Sequence, residues 1–266
     1  MNQLRADKKV INNVFQASNI LACDFTTKVL GFSINIPFRL FSLRTTLKLH
    51  WSLLLLVVAY LYYLRDAVWD YKWIKIICLS IIIIASIFLH ELGHAVTFYY
   101  GYNIEIKEIL LMCLGGATVP THETTTKGSE AITAIVGPIV NFIIAGFFAV
   151  LTLLVTNEEA KFFIALIMIS NLLLAVFNLL PVYPLDGGRV LRSLMGLCCS
   201  QVTATTIAGI VAIPGGIAIL ALGAWLKDAL VIITGILIIV AVAIEIWRVR
   251  QPVEPVDEEA QPMNPQ

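Results

Sequence analysis

Apolar residues along this chain gather into long runs. Stretches near Leu47–Leu64, Ile74–Tyr100, Ala131–Thr156, Phe162–Leu185, Thr203–Leu226 and Ala229–Trp247 each approach the about 20 apolar residues that a helix needs to cross a bilayer. The pattern predicts six spans, with a kink in the fifth at Pro214-Gly215-Gly216. Two segments break the pattern. In NIEIKEILLMCLGGATVP, from Asn103 to Pro120, Ile104 and Ile106 alternate with Glu105 and Lys107, and Gly115-Gly116 offers a turn. That predicts strand, turn and strand. Leu43, Leu47 and Leu49 share one parity within Phe38–Leu49 and predict another strand ahead of the first span. The predicted fold class is an all-α polytopic membrane protein of about six transmembrane helices with a small membrane-associated β-hairpin or sheet. Its divisions are a cytoplasmic N-terminal segment (1–46), a six-span membrane domain (47–248, core spans 74–192) and a tail (249–266). The tail is proline-rich and acidic, QPVEPVDEEAQPMNPQ from Gln251, which predicts disorder.

Composition strengthens the membrane reading. Hydrophobic residues make up 59% of the 266 and charged residues 14%, against about 45–50% and about 25% in soluble domains. Mean hydropathy is +0.87. Lysine plus arginine (18) equal aspartate plus glutamate (18), which excludes a strongly basic nucleic-acid binder. Thirteen of the 18 basic residues fall in segments that share a side with both termini, and five fall opposite. The positive-inside rule then places both termini in the cytoplasm of a multi-pass protein of the cell membrane. Five cysteines without CxxC spacing read as small core residues and not as a disulfide framework.

The second predicted span contains His90-Glu91-Leu92-Gly93-His94. Residues four apart share a helix face, so His90 and His94 can hold one ion between them. Glu91 is about a hundred degrees round from His90 and can reach a metal-activated water without ligating the metal. Zinc lowers such a water's pKa to about 7, and a glutamate can then take its proton as general base. The plainer alternative is a pair of hydrogen-bonded core histidines with a snorkelling glutamate. Three ionisable groups left unpartnered at membrane depth would be costly, which favours the metal.

A catalytic zinc usually takes three protein ligands. The candidate third is Asp186, in NLLPVYPLDGGR from Asn178 to Arg189, the only acid between Lys161 and Lys227. Pro181 and Pro184 disrupt the helix ahead of it. Asp186 could equally cap a helix or pair with Arg189, and at 92 positions from His94 spacing does not choose.

HELGH in one span and NLLPVYPLDGGR at the end of a later one resemble the site-2 protease family of intramembrane zinc metalloproteases, peptidase family M50. Gly137-Pro138-Ile139-Val140-Asn141 is similar to the family's GPxxN. The resemblance implies that His90, His94 and Asp186 ligate one Zn2+ per chain and that Glu91 is the catalytic base. It implies supporting roles near the substrate or its oxyanion for Asn141 and Asn178, with Gly115 and Gly116 beside the substrate. It places the strand-like stretch 104–119 as a hairpin beside the active site. The implied substrate is a single-pass membrane protein, trimmed first by an upstream site-1-type protease, in the lipid bilayer, with no nucleic acid involved. The alternatives are a non-catalytic zinc-binding membrane scaffold of the same family and, further off, a zinc transporter. His122 reads as a solvated loop histidine, His50-Trp51 as an interface anchor, and Glu245 as a partner for Arg248.

Overall fold

A computed structural model describes residues 33–40, 42–54, 58, 72–112, 115–122 and 128–249. The chain enters with two strands, β1 (Ser33–Leu40) and β2 (Leu43–His50). In β1 Ile34, Ile36, Phe38 and Leu40 alternate with Asn35, Pro37 and Arg39, the period of a strand with one apolar face. Pro37 cannot donate to a ladder and so belongs on an edge; β1 is the edge of a four-stranded sheet in the order β1-β2-β3-β4. The segment expected to hold one strand within Phe38–Leu49 thus holds a hairpin, with Leu40 opposite Leu43.

A long helix, α1 (Lys72–Val96), continues into a π-helical turn at Thr97–Gly101. It leads to β3 (Ile106–Met112), which pairs in parallel with β2, and β4 (Gly115–Pro120), which returns antiparallel to β3. The predicted hairpin is therefore present, but its turn is not where the glycines suggested. Gly115 and Gly116 lie within β4, paired with Met112 and Leu111, and Gly116 owes its place to a close approach described below. Leu43, Ile109 and Leu111 of the sheet form one buried cluster with Leu79, Ile83, Ile87 and Ala95 of α1. That packing fixes β4 beside α1.

Four further long or amphipathic helices follow α1 and this sheet, then a last apolar one. The helix α2 (Ser129–Leu154) starts after Gly128 at φ 83°, a left-handed conformation that glycine adopts without strain. In α3 (Glu158–Asn178) the Asn157 side chain caps the first turn by accepting from Ala160 N at 2.9 Å. It stops at Asn178, short of the expected Leu185, because Pro181 and Pro184 remove backbone donors. A turn then delivers α4 (Asp186–Cys198), followed by α5 (Gln201–Leu226) and α6 (Ala229–Val249). No break occurs in α5 at Pro214-Gly215-Gly216. A Cβ on Gly216 would stand 2.8 Å from Ile239 Cγ1, so this small residue serves the contact between α5 and α6.

Among the described residues four helical stretches, Ile77–Gly101, Ser129–Leu154, Glu158–Asn178 and Val202–Leu226, are long and apolar enough to cross a membrane. The sixth expected span is a shorter apolar stretch, Val231–Trp247. The first expected span, Leu47–Leu64, begins instead in β2, which runs to His50, and its residues 55–57 and 59–64 lie outside the described residues, as do the 250–266 tail and residues 1–32. Large apolar side chains such as Ile143 (67% exposed) and Leu153 (83%) point outward from α2, as a lipid surround permits and a water surround penalises.

Candidate metal centre

The last turns of α1 carry the HELGH segment inward, so that His90, Glu91 and His94 are all buried. The Nδ1–H of His90 donates to Asn141 Oδ1 on α2 at 2.5 Å, and the Nδ1–H of His94 donates to the Thr133 carbonyl at 2.7 Å. With Nδ1 protonated in both rings, both Nε2 atoms are left as acceptors or ligands. They stand 3.2 Å apart.

Asp186 enters from the other side as the first residue of α4. Its Oδ2 lies 3.0 Å from His90 Nε2 and 3.4 Å from His94 Nε2. Three donors bound tetrahedrally at about 2.0–2.1 Å from one ion stand about 3.3–3.4 Å from one another. Distances of 3.0, 3.2 and 3.4 Å between the three atoms therefore fit a small tetrahedral ion with two imidazoles and one carboxylate. The structure brings together what 92 residues of sequence left open. The tight turn after the prolines needs small residues: a Cβ on Gly187 would meet the Leu179 carbonyl oxygen at 2.2 Å.

Glu91 also offers an oxygen within 4.8 Å of both histidine donors. Its Oε2, however, accepts the Thr118 hydroxyl at 2.9 Å, and the same hydroxyl reaches Glu91 O at 2.9 Å. This holds the carboxylate beside the donor triangle and not within it. Gly116 makes room, since a Cβ there would fall 2.3 Å from Glu91 Cγ. Gly137 on α2 does the same for the histidines: its Cβ would fall 2.4 Å from His94 Nε2 and 2.7 Å from His90 Nε2.

These groups line a cavity of about 250 Å³, whose walls include Gly115 and Gly116 of β4, Asn178 of α3 and Arg189 of α4. Asn141 does not reach it. It is fully buried behind His90, and its Nδ2 donates to Asn171 Oδ1 at 3.0 Å. Both ends of its amide are thus committed to protein partners, which removes it from the substrate side where the resemblance had placed it. Asn171 in turn donates to Ser86 Oγ at 3.1 Å and to the Ile167 carbonyl at 2.9 Å. A buried polar chain therefore runs from α1 through α3 and α2 back to His90.

Beneath Asp186 lies a charged cluster that the sequence did not reveal. The buried Arg192 guanidinium pairs with Glu130 on α2 and with Glu245 on α6, the latter at 3.3 Å, and lies over the Tyr183 ring at 5.2 Å. Glu245 thus pairs across helices with Arg192, while the side chain of Arg248, its expected partner, lies outside the described residues. Burial, with the Glu245 charge adding to it, pushes the Tyr183 phenol up to about 12, so it stays protonated. His50 is buried, with Nδ1 accepting from Ser52 N at 3.2 Å, and its ring lies against that of Trp51. His122 is exposed beside Thr121, as expected of a loop histidine. Thr118, Thr133, Gly137 and Asn171 were missed as site residues. Asn171 and Ser86 carry a usable signal, being polar in otherwise apolar helices.

The family model for Peptidase family M50 matches residues 154–223, a segment that includes Asp186. The chain is 34% identical over 135 residues to a zinc metalloprotease of Methanocaldococcus jannaschii, covering 49% of this chain and 38% of that protein. It is 31% identical over 117 residues to stage IV sporulation protein FB of Bacillus subtilis, covering 44% and 38%. The chain thus spans less than two fifths of the length of these relatives. The structure is similar to that of a site-2 protease from Methanocaldococcus jannaschii, with a TM-score of 0.60 and 27% identity, over 84% of this chain and 97% of that one.

Proposed function

We propose that this chain, a member of the site-2 protease family of zinc metalloproteases, hydrolyses a peptide bond within or beside the transmembrane segment of a single-pass membrane protein. It is an integral membrane protein with, among the described residues, four apolar helices long enough to span. The observation that carries the proposal is the convergence of His90 Nε2, His94 Nε2 and Asp186 Oδ2 beside the Glu91 carboxylate. In this reading the first three hold the Zn2+ and Glu91 is the base. When bound, zinc supplies Lewis acidity and a water acidified to a pKa of about 7.

The chain's own groups do the rest. Asn141 and the Thr133 carbonyl hold the histidine rings in the tautomer that leaves Nε2 as ligand. Thr118 orients Glu91, which takes the water's proton and returns it to the departing amine. Among the described residues β4 has one strand neighbour, β3. Its free edge beside Glu91 suits main-chain pairing with a stretch of substrate that has unwound from its helix. On this reading an upstream site-1-type protease trims the substrate first, both termini of the enzyme face the cytoplasm of a cell-membrane protein, and the product released is a cytoplasmic signal. Intact Glu91 and Asp186 weigh against a scaffold.

The test is cleavage of a tagged single-pass protein co-reconstituted in liposomes. Glu91→Gln should retain zinc and lose product by about 10²–10⁴-fold. Equal product from wild type and Glu91→Gln, both zinc-loaded, overturns the mechanism.

A further inference from the structure

Attack on a peptide carbonyl leaves negative charge on its oxygen, and enzymes aim fixed hydrogen-bond donors at that atom. Few donors in the cavity are available for this. The Asn141 amide is committed to His90 and Asn171, behind the site. Asn178 reaches the cavity with one of its two amide protons already given to Leu174 O of its own helix at 2.9 Å, and it carries no charge to match that of the oxyanion. The Thr118 hydroxyl is spent on Glu91. Arg192 has its terminal nitrogens on Glu130 and Glu245.

Arg189 differs. It sits one helical turn past Asp186 on α4, on the same face, and lines the cavity. Its guanidinium lies 3.6 Å from Asp186 Oδ1 and 3.8 Å from Glu130 Oε1, with its side chain 21% accessible. Both distances exceed the about 2.7–3.2 Å of an N–H···O hydrogen bond. Two carboxylates therefore flank the cation at more than hydrogen-bond distance, and its side chain lines the cavity that holds the donor triangle.

Resting on the protease reading above, we propose that Arg189 is a catalytic residue that donates to the scissile carbonyl oxygen. Glu91 takes a proton from water, the water oxygen bonds to the carbonyl carbon, and the C=O π pair moves onto the oxygen facing Arg189. The oxygen pair then re-forms the C=O bond as the C–N bond breaks. Its electrons go to nitrogen, which receives the proton from Glu91. Arg189 keeps its protons throughout and acts by charge and hydrogen bonding.

The probe is a phosphinate peptide of apolar sequence, whose tetrahedral anion mimics the attacked carbonyl, bound to the zinc-loaded full chain in nanodiscs. Zinc content is measured in the same samples. Arg189→Gln should keep its zinc and weaken phosphinate binding by about 10²–10³-fold. Arg189→Lys should recover part of that loss, and Tyr183→Phe, which removes the neighbouring phenol, should stay within about threefold. Unchanged phosphinate affinity in Arg189→Gln overturns the proposal, and so does a larger loss in Tyr183→Phe. Loss of zinc in step with phosphinate would make Arg189 a support for Asp186 and also overturn it. A wild type that binds neither zinc nor phosphinate would instead sink the protease reading itself.

Discussion

Gly137→Ala adds one methyl group to α2 and directs it at the donor atoms of the proposed metal site. The new Cβ would stand 2.4 Å from His94 Nε2, 2.5 Å from His94 Cε1 and 2.7 Å from His90 Nε2. Ordinary contacts lie at about 3.5–4.0 Å, so ring or helix must retreat by about 1 Å. The helix has little room, because a Cβ on Gly93 of α1 would already touch Val140 Cγ2 of α2 at 3.0 Å. The rings are held too, by Asn141 and the Thr133 carbonyl. A metal site tolerates about 0.2 Å. Displacing a supporting partner alone costs about 10–100-fold in metal affinity, which at 1.4 kcal/mol per decade is about 1.4–2.8 kcal/mol. Moving the donors themselves should cost at least that. The assay is zinc competition with a chromophoric chelator on purified protein, beside Gly146→Ala. Gly146 lies on the same helix with no atom within 4 Å of its Cβ, and that variant should bind zinc as wild type does. Wild-type zinc affinity in Gly137→Ala would refute the placement of the ion, as would equal losses in both variants.

Two other substitutions probe what surrounds the site. Asn171→Ala removes the group that anchors Asn141 and should weaken zinc about tenfold while helical circular dichroism is kept; unchanged affinity would show that the buried polar chain does not orient His90. Arg192→Leu removes the cation between half-buried Glu130, which keeps the more distant Arg189, and buried Glu245 and should cost about 3–5 kcal/mol, read as a lower Tm in detergent, with much of it recovered by Glu130→Gln and Glu245→Gln together. A Tm equal to wild type would mean that the cluster is not what ties α6 to α4.

What the sequence disclosed follows from how local each signal is. His90 and His94 are four apart on one helix, and the helical period alone puts them together. The end of α3 was legible only in part: Pro181 and Pro184 act on their own neighbourhood, yet the apolar run carried the expected span on to Leu185, past Asn178. Asp186 was a candidate only, since its approach to His94 depends on how α3, the proline turn and α4 pack. The β1–β2 hairpin was missed, because only the parity of Leu43, Leu47 and Leu49 was used, whereas Ile34, Ile36, Phe38 and Leu40 alternate on the opposite parity and mark a second strand. Gly115-Gly116 misled because a glycine pair signals a turn and a close contact alike, and only the Glu91 side chain packed against Gly116 tells them apart. Asn141 illustrates the limit of resemblance: its motif was recognised, yet its side chain faces His90 and Asn171 and not the cavity. Arg192 with Glu130 and Glu245 was illegible, because three charges from three helices meet only after folding.

The claim on which the account stands is that His90, His94 and Asp186 hold one ion. The direct measurement is metal content of the purified full chain, after zinc loading and removal of excess, beside His94→Ala and Asp186→Asn. The account predicts about one zinc per chain in wild type and a large loss in both variants, since a two-donor remnant of a three-ligand site binds weakly. No zinc in wild type, or undiminished zinc in Asp186→Asn, would contradict it.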